Sequence, residues 1–539
     1  MSLDGTTAGD GTPERGGRSD AGGDGTIIPF TRPVIRVETG QRPAAVSAAE
    51  SALIAVGGVY QQGERLVRIA RIDADTDSGG VRRAAGSLII TAVTQDWLSH
   101  TLARIADWET LDKRGELRVI DPPVPVSREL LALSGEWRLP VLRGIVTAPT
   151  LRTDGSLLDR DGYDARSGLY VDFGGMEYPA INPTPSMQEA REALLALGDL
   201  LSECAFVGGA QSPSASAMLA TIITAIVRRA LDIAPILAVT AKQASSGKTA
   251  LAHIIARILT GREAAVIPLD QEAAELGRRL LGVLLAGDPV LCLDNAVDAV
   301  DSAALCAALT SGSYQDRIIR SSTMARVSTA VTMIITGNGL RLVGDLTTRA
   351  LGCALDTGLD RPQERVYQRD IAAFIAEHRA HLVWAALTIP LAYLAAGAPA
   401  LPVRPSRFHQ WDRLVRYPLI WLACADPMET QIVLEDADPE REKLRVLLNA
   451  WMASCGERVV TVAALMRAAV QKEGMALREA LLGIGSDGAG RVNALRIGTY
   501  LAERVGQVVD GMQIGDAGRD SHTKTRCYRV VAGAVRESA

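Results

Sequence analysis

Between about residues 235 and 340 the chain alternates short, unbroken apolar runs with longer stretches in which apolar residues return every third or fourth position. The runs are "PILAVT", "AAVIPL", "PVLCLDN" and "AVTMIITGN". None shows the apolar–polar alternation of a half-exposed strand, so each predicts a strand covered on both faces, as in a parallel sheet. The stretches between them, "KTALAHIIARILTG", "EAAELGRRLLGVLLAG" and "SAALCAALTSG", have helical spacing. Strand and helix in turn predict an α/β core over residues 235–375.

The flanks have other rhythms. Residues 46–185 mix strand-like runs ("SLIITAVT", "GLYVDF") with a helix-like "QDWLSHTLARIADW", which predicts an N-terminal α+β accessory domain. Residues 186–234 predict a helical connector, with Ser212 or Ser214 capping its second helix. Residues 376–450 are helical again. From 451 to 535 the order is helix, helix, "RIGTYLAERVGQVV", then two short strands around "DAGRDSHTKTR", the layout of a winged helix. Residues 1–45 open Gly-, Asp- and Thr-rich without an apolar run, and predict a disordered tail rather than a signal or transit peptide. Leu382–Val403 carries no charge and has the length of a bilayer span. Pro390, Pro399, Pro402 and closely flanking charges instead favour a buried helix ending near Pro399, and no membrane association.

Composition narrows this picture. A chain of 539 residues exceeds a single core and predicts several domains. A net charge of −5 and a pI near 5.8 exclude a polybasic nucleic-acid binder, so any DNA contact must come from a local patch. The seven cysteines include no C-x-x-C pair, and the six histidines show no zincin spacing. That pattern points to single thiols in a reducing compartment and to no zinc site or disulfide framework.

The candidate chemistry centres on "KQASSGKTALAH", Lys242–His253. "SSGKT" follows one predicted strand and opens a helix, where backbone N–H groups can cradle phosphates. Ser245, Ser246, Gly247, Lys248, Thr249 and Ala250 are the predicted ATP contacts, with Lys248 as the point charge and Thr249 as a Mg²⁺ ligand. Only six of the 57 basic residues are lysines, which makes a lysine in this slot informative. Lys242 stands where the usual pattern has its first glycine, so the turn requires either negative φ there or strain. Asp294, closing "VLCLDN", is the predicted second Mg²⁺ ligand. Asn295 follows it where many such ATPases carry a carboxylate for the attacking water. An amide positions water without taking its proton, so Glu272 or Glu275 are candidate substitutes, and slow hydrolysis is an open alternative. Asn338 ends the last of the four apolar runs at the same sheet edge, in reach of a γ-phosphate. Arg349 lies eleven residues further on. It is a candidate for transition-state charge in a neighbouring subunit, or else a surface arginine.

In this order the elements resemble an AAA+ ATPase core. The nearest likeness is to the helicase domains of phage, plasmid and integrative-element replication proteins, the primase-helicases related to superfamily 3 and MCM-like helicases. "GIVTAPTLRTDGSLLDRDGYDARSGLY", "LAGDPVLCLDN", "SYQDRIIRSS" and "RFHQWDRLVRYPLIWLACADP" carry the same resemblance, which spans about residues 85–530. It implies an ATP- and Mg²⁺-dependent DNA helicase or translocase, working as a homo-hexameric ring in the cytoplasm of a bacterium or phage host. Lys248, Thr249, Asp294, Asn338 and Arg349 match its Walker A, Walker B, sensor 1 and arginine-finger positions. Superfamily 3 motors carry a DNA-gripping hairpin just before the sensor 1 strand. Arg317, Arg320 and Arg326 are therefore pore candidates, with subunit-interface or core-capping roles as alternatives. No primase domain is evident, which implies a separate primase or loader as partner.

A second DNA candidate is the C-terminal region, where residues 488–539 hold eight Lys or Arg against five Asp or Glu. Arg519, Lys524, Arg526 and Arg529 cluster in the predicted wing, and Arg491 and Arg496 open the predicted recognition helix. The alternative is a winged helix used for protein contacts. Beside the motor stand two other classes: an AAA+ switch (initiator, loader or scaffold) that binds ATP with weak or no hydrolysis, and a small-substrate P-loop kinase. The absence of a compact substrate-binding insertion argues against the kinase.

Overall fold

Alternate residues of each apolar run serve two different cores, as the computed structural model makes plain. It describes residues 32–269, 273–297, 299–317, 324–487, 490–521 and 523–532. The chain divides into two compact units, the smaller holding residues up to 56 and residues 96–130.

In the smaller unit, Val34–Arg36 pairs in parallel with Asp107–Leu111, which pairs antiparallel with Leu117–Val119. Helix Arg42–Val56 buries Ala45, Val46, Ala49 and Leu53, and the helix ending at Ile105 buries Leu98 and Leu102. The tail expected over residues 1–45 is thus corrected at its C-terminal end: Ile35 is a buried strand residue and a helix starts at Arg42. The accessory domain expected over 46–185 is likewise shared between the two units.

The larger unit holds residues 57–95 and 131–539. At its centre is a seven-stranded sheet: β1 (Thr76–Ser78), β2 (Val81–Arg83), β3 (Ile236–Ala241), β4 (Ala265–Pro268), β5 (Val290–Ala296), β6 (Thr332–Asn338) and β7 (Ala350–Leu355). Across the sheet the order is β7-β3-β6-β5-β4-β2-β1. The pairs among β3 to β7 are parallel, and β2 and β1 extend the edge antiparallel.

Helices cover both faces. On one lie α1 (Pro213–Val227), α2 (Lys248–Thr260) and α5 (Ile371–Ala395), packed on Leu237, Val239, Ala241, Cys292 and Ile334. On the other, α3 (Ala273–Ala286) and α4 (Ala303–Thr310) pack on Ile236, Ala238, Leu291, Leu293 and Ile335. A period of two, buried on both sides, is why the runs carry no polar alternation.

Ser212 is the cap of α1, accepting the Ala215 N–H. Buried Arg379 of α5 donates to the Ile258 and Leu259 carbonyls at the end of α2, satisfying acceptors that the helix leaves open. Pro390 lies inside α5, which stops at Ala395, and no described helix is long and apolar enough to cross a membrane.

Between β5 and β6 an antiparallel hairpin, Ser313–Arg317 with Met324–Ser328, stands outside the central sheet. At the C-terminus, helices Val462–Ala468, Met475–Gly485 and Ala494–Glu503 and the strands Met512–Arg519 and Arg526–Ala532 enclose Leu465, Leu477, Leu481, Ile497, Ile514 and Tyr528.

Candidate functional site

The turn from β3 into α2 ends in an uncapped helix start. Gly247 precedes α2 at φ 85°, and among the described residues no side chain caps the helix start. The first-turn N–H groups are therefore unclaimed by a cap, at the positive end of the helix dipole. Lys242 is not among the residues with positive φ; the left-handed strain falls on Ser245 at φ 58°. The missing first glycine is thereby accommodated, because the chain makes its tight turn three residues later. Ser246 Oγ is buried and donates to the Gln243 carbonyl at 2.7 Å, closing the loop. Ser245 and Ala250 are exposed on it.

Sheet order brings the remaining groups in. Because β6 lies between β3 and β5, Asn338 pairs in register with Ala241 at the mouth of the loop. Lys248 Nζ donates to Asn338 Oδ1 at 2.7 Å and to the Gln243 carbonyl at 3.2 Å. Burial lowers the pKa of the Lys248 ammonium below its ordinary value, and the Asp294 carboxylate opposes that shift. Thr249 Oγ1 donates to Asp294 Oδ1 at 2.8 Å. One hydroxyl and one carboxylate form a hard-oxygen donor set, which fits a small divalent cation that completes its shell with phosphate and water.

Asn295 is exposed, at φ 62°, on a β-bulge between Leu293 and Ala296. Asparagine tolerates the left-handed region better than most residues, so the backbone gives it a reason independent of catalysis. Glu275 is paired with Arg278 and Arg279 at 3.2 and 3.3 Å, and Glu272 lies outside the described residues.

Arg349 is not part of this cluster. It is buried where the chain enters β7, with Nε donating to Thr310 Oγ1 at 2.8 Å and Nη1 to the Asp345 carbonyl at 2.6 Å. Arg317 and Arg326 are exposed on the two hairpin strands, Arg326 donating to Ser313 Oγ at 3.0 Å, and Arg320 lies outside the described residues. In the C-terminal region, Arg491 pairs with Asp487 at 3.1 Å, Arg496 donates to the Ser486 carbonyl at 2.7 Å and Arg526 pairs with Asp516 at 2.7 Å. Arg519, Lys524 and Arg529 are exposed.

Two features escaped sequence reasoning. Thr336, buried in β6, donates to Asp294 Oδ1 at 2.6 Å; its only signal was its place two residues before Asn338, on the same side of a strand. The other is a cleft of about 330 Å³ beside the β3–α2 loop. Leu200, Cys204, Ala205, Leu251, Ile254 and Tyr367 line it, from segments that no local motif links. The half-exposed Tyr367 carries Arg365 over its ring at 5.0 Å.

No family model matches the chain, and no curated protein matches it. The solved structures similar to it at low identity include the following. The A form apo structure of the NrS-1 C-terminal region matches 81% of this chain and 99% of its own, at 10% identity and a TM-score of 0.34. SCCmec type IV Cch, an active helicase, matches 88% and 97%, at 12% identity and 0.34. JCV helicase matches 47% and 73%, at 14% identity and 0.21.

Proposed function

We propose that this chain is an AAA+-type ATPase that couples nucleotide hydrolysis to movement on DNA, as a helicase or translocase of a mobile element's replication. One observation carries the nucleotide reading: Lys248, Thr249, Asp294 and Asn338, spread over ninety residues, meet at a helix start that no side chain caps. The α2 N-terminus and the loop amides hold the β- and γ-phosphates, and Lys248 exchanges its Asn338 and Gln243 partners for phosphate oxygen. Thr249 and Asp294 would hold a Mg²⁺ ion, which would supply neutralisation of charge on the phosphates. Asn338, released from Lys248, is placed to orient water or the γ-phosphate. The apolar cleft takes the base, with the Tyr367 ring offering a stacking face.

Assembly into a ring brings a second subunit to this site. For Arg349 to serve there it must leave Thr310 and Asp345, which makes its engagement a conformational step rather than a preset contact. The hairpin with Arg317 and Arg326 is the candidate grip on DNA in the pore.

The decisive experiment is ATP turnover with and without single-stranded and forked DNA, in wild type, Lys248→Ala and Arg349→Ala. Turnover stimulated by DNA and lost in both variants supports an inter-subunit motor. Tight ATP binding with negligible turnover on every DNA would sink it. That outcome would favour the second reading, an ATP-binding switch that loads or initiates, for which the observation is Asn295: an amide on a strained bulge where a general base would stand.

A further inference from the structure

The end of β5 holds an arrangement that the phosphate loop does not explain. After Leu293 the strand bulges, Asn295 takes a left-handed conformation, and the register with β6 resumes only at Ala296 and Gly337. The bulge turns on Thr336. Its Oγ1 accepts the Asn295 N–H at 3.2 Å and donates to Asp294 Oδ1 at 2.6 Å. Accepting from Asn295 leaves the hydroxyl proton for Asp294, so both bonds have a fixed direction. Asp294 Oδ1 thus receives two hydroxyls, Thr249 and Thr336, while Oδ2 has no hydrogen-bond partner among the described residues. The next residue, Gly337, passes so close to β5 that a Cβ there would stand 2.6 Å from the Ala296 carbonyl. The two strands are pressed together where the carboxylate leaves the sheet.

We propose that Thr336 is a positioning residue for the metal-binding carboxylate: its hydroxyl pins the bulge at Asn295 and turns Asp294 so that one oxygen is held by hydroxyls and the other is left for the cation. This rests on the nucleotide reading above. Thr336 touches neither nucleotide nor metal; it acts through Asp294. The left-handed residue directly after the carboxylate is the one whose N–H Thr336 accepts.

The test uses the full chain, a fluorescent ATP analogue and Mg²⁺ titration, in wild type, Thr336→Val and Thr336→Ser. Valine keeps the shape and loses both bonds, whereas serine keeps the hydroxyl. The half-saturating Mg²⁺ concentration for Thr336→Val is expected to rise about 10-fold, the usual effect of removing a partner of a metal ligand. Nucleotide binding in EDTA should stay unchanged, and serine should restore the wild-type titration. Without nucleotide, amide exchange at Asn295 should quicken in the valine variant and not in the serine variant. Equal shifts in both variants, an unchanged Mg²⁺ titration in Thr336→Val, or an equal loss of binding in EDTA would overturn the proposal. If wild type binds no nucleotide at all, the nucleotide reading fails, and unchanged exchange at Asn295 would by itself overturn the role of Thr336 in the bulge.

Discussion

Two regions of this molecule were expected to meet phosphates, and they are built on opposite plans. At the loop end of the central sheet, polar groups from residues 248–249, 294, 336 and 338 converge on one another and on an uncapped helix start. In the C-terminal region three of the six expected DNA cations are already answered from nearby in the chain, Arg491 by Asp487, Arg496 by the Ser486 carbonyl and Arg526 by Asp516, while Arg519, Lys524 and Arg529 stand exposed. Its third helix also presents Leu495, which is 80% exposed, at the end expected to enter a groove. Counting charges along the chain therefore overstates the cation available there. Solvent screens exposed ion pairs so that they are weak, and a phosphate can displace them, but each displacement reduces the net gain. Convergence from distant positions is the stronger mark of a site, because local sequence has no other reason to bring it about.

The sharpest way to break this contrast is Lys248→Ala, for which ATP turnover should fall about 100-fold, given the strength of charged hydrogen bonds to phosphate. Turnover that survives would mean the converging groups are structural. Gly337→Ala should cost about 2 kcal/mol in denaturant unfolding, because the added Cβ meets the Ala296 carbonyl; a neutral result would show that β5 and β6 can part. Tyr367→Ala should weaken ATP binding about 10-fold without moving the Mg²⁺ titration, the scale of one base stack. An unchanged affinity would take the base out of the cleft.

The smallest effect is on the other side. Asp516→Ala releases Arg526 and should tighten DNA binding a few-fold, steepening its salt dependence by about one phosphate contact. If affinity and salt slope both stay put, the C-terminal unit is a protein-contact module.

Much of the core was legible because burial imposes a rhythm on the residues themselves. Four of the five parallel strands, α2, and the Ser212 cap are local facts, and "SSGKT" with a strand before it and a helix after it announces its own turn. β7 was not legible: "ALGCAL" is small residues with weak strand preference, and it is a strand because it pairs with β3 along six residues. Lys242 raised a problem that three-dimensional structure removed, by moving the left-handed residue to Ser245.

What the sequence determined by itself was therefore most elements of the core and the chemistry at their ends. Which ends meet was a tertiary decision. The placement of β6 between β3 and β5 decides that Lys248 faces Asn338 and that Thr336 reaches Asp294, and packing of distant segments decides that a cleft opens beside Gly247. Local patterns encode the faces that must be buried. The order in which strands lie side by side follows only from packing all those faces at once.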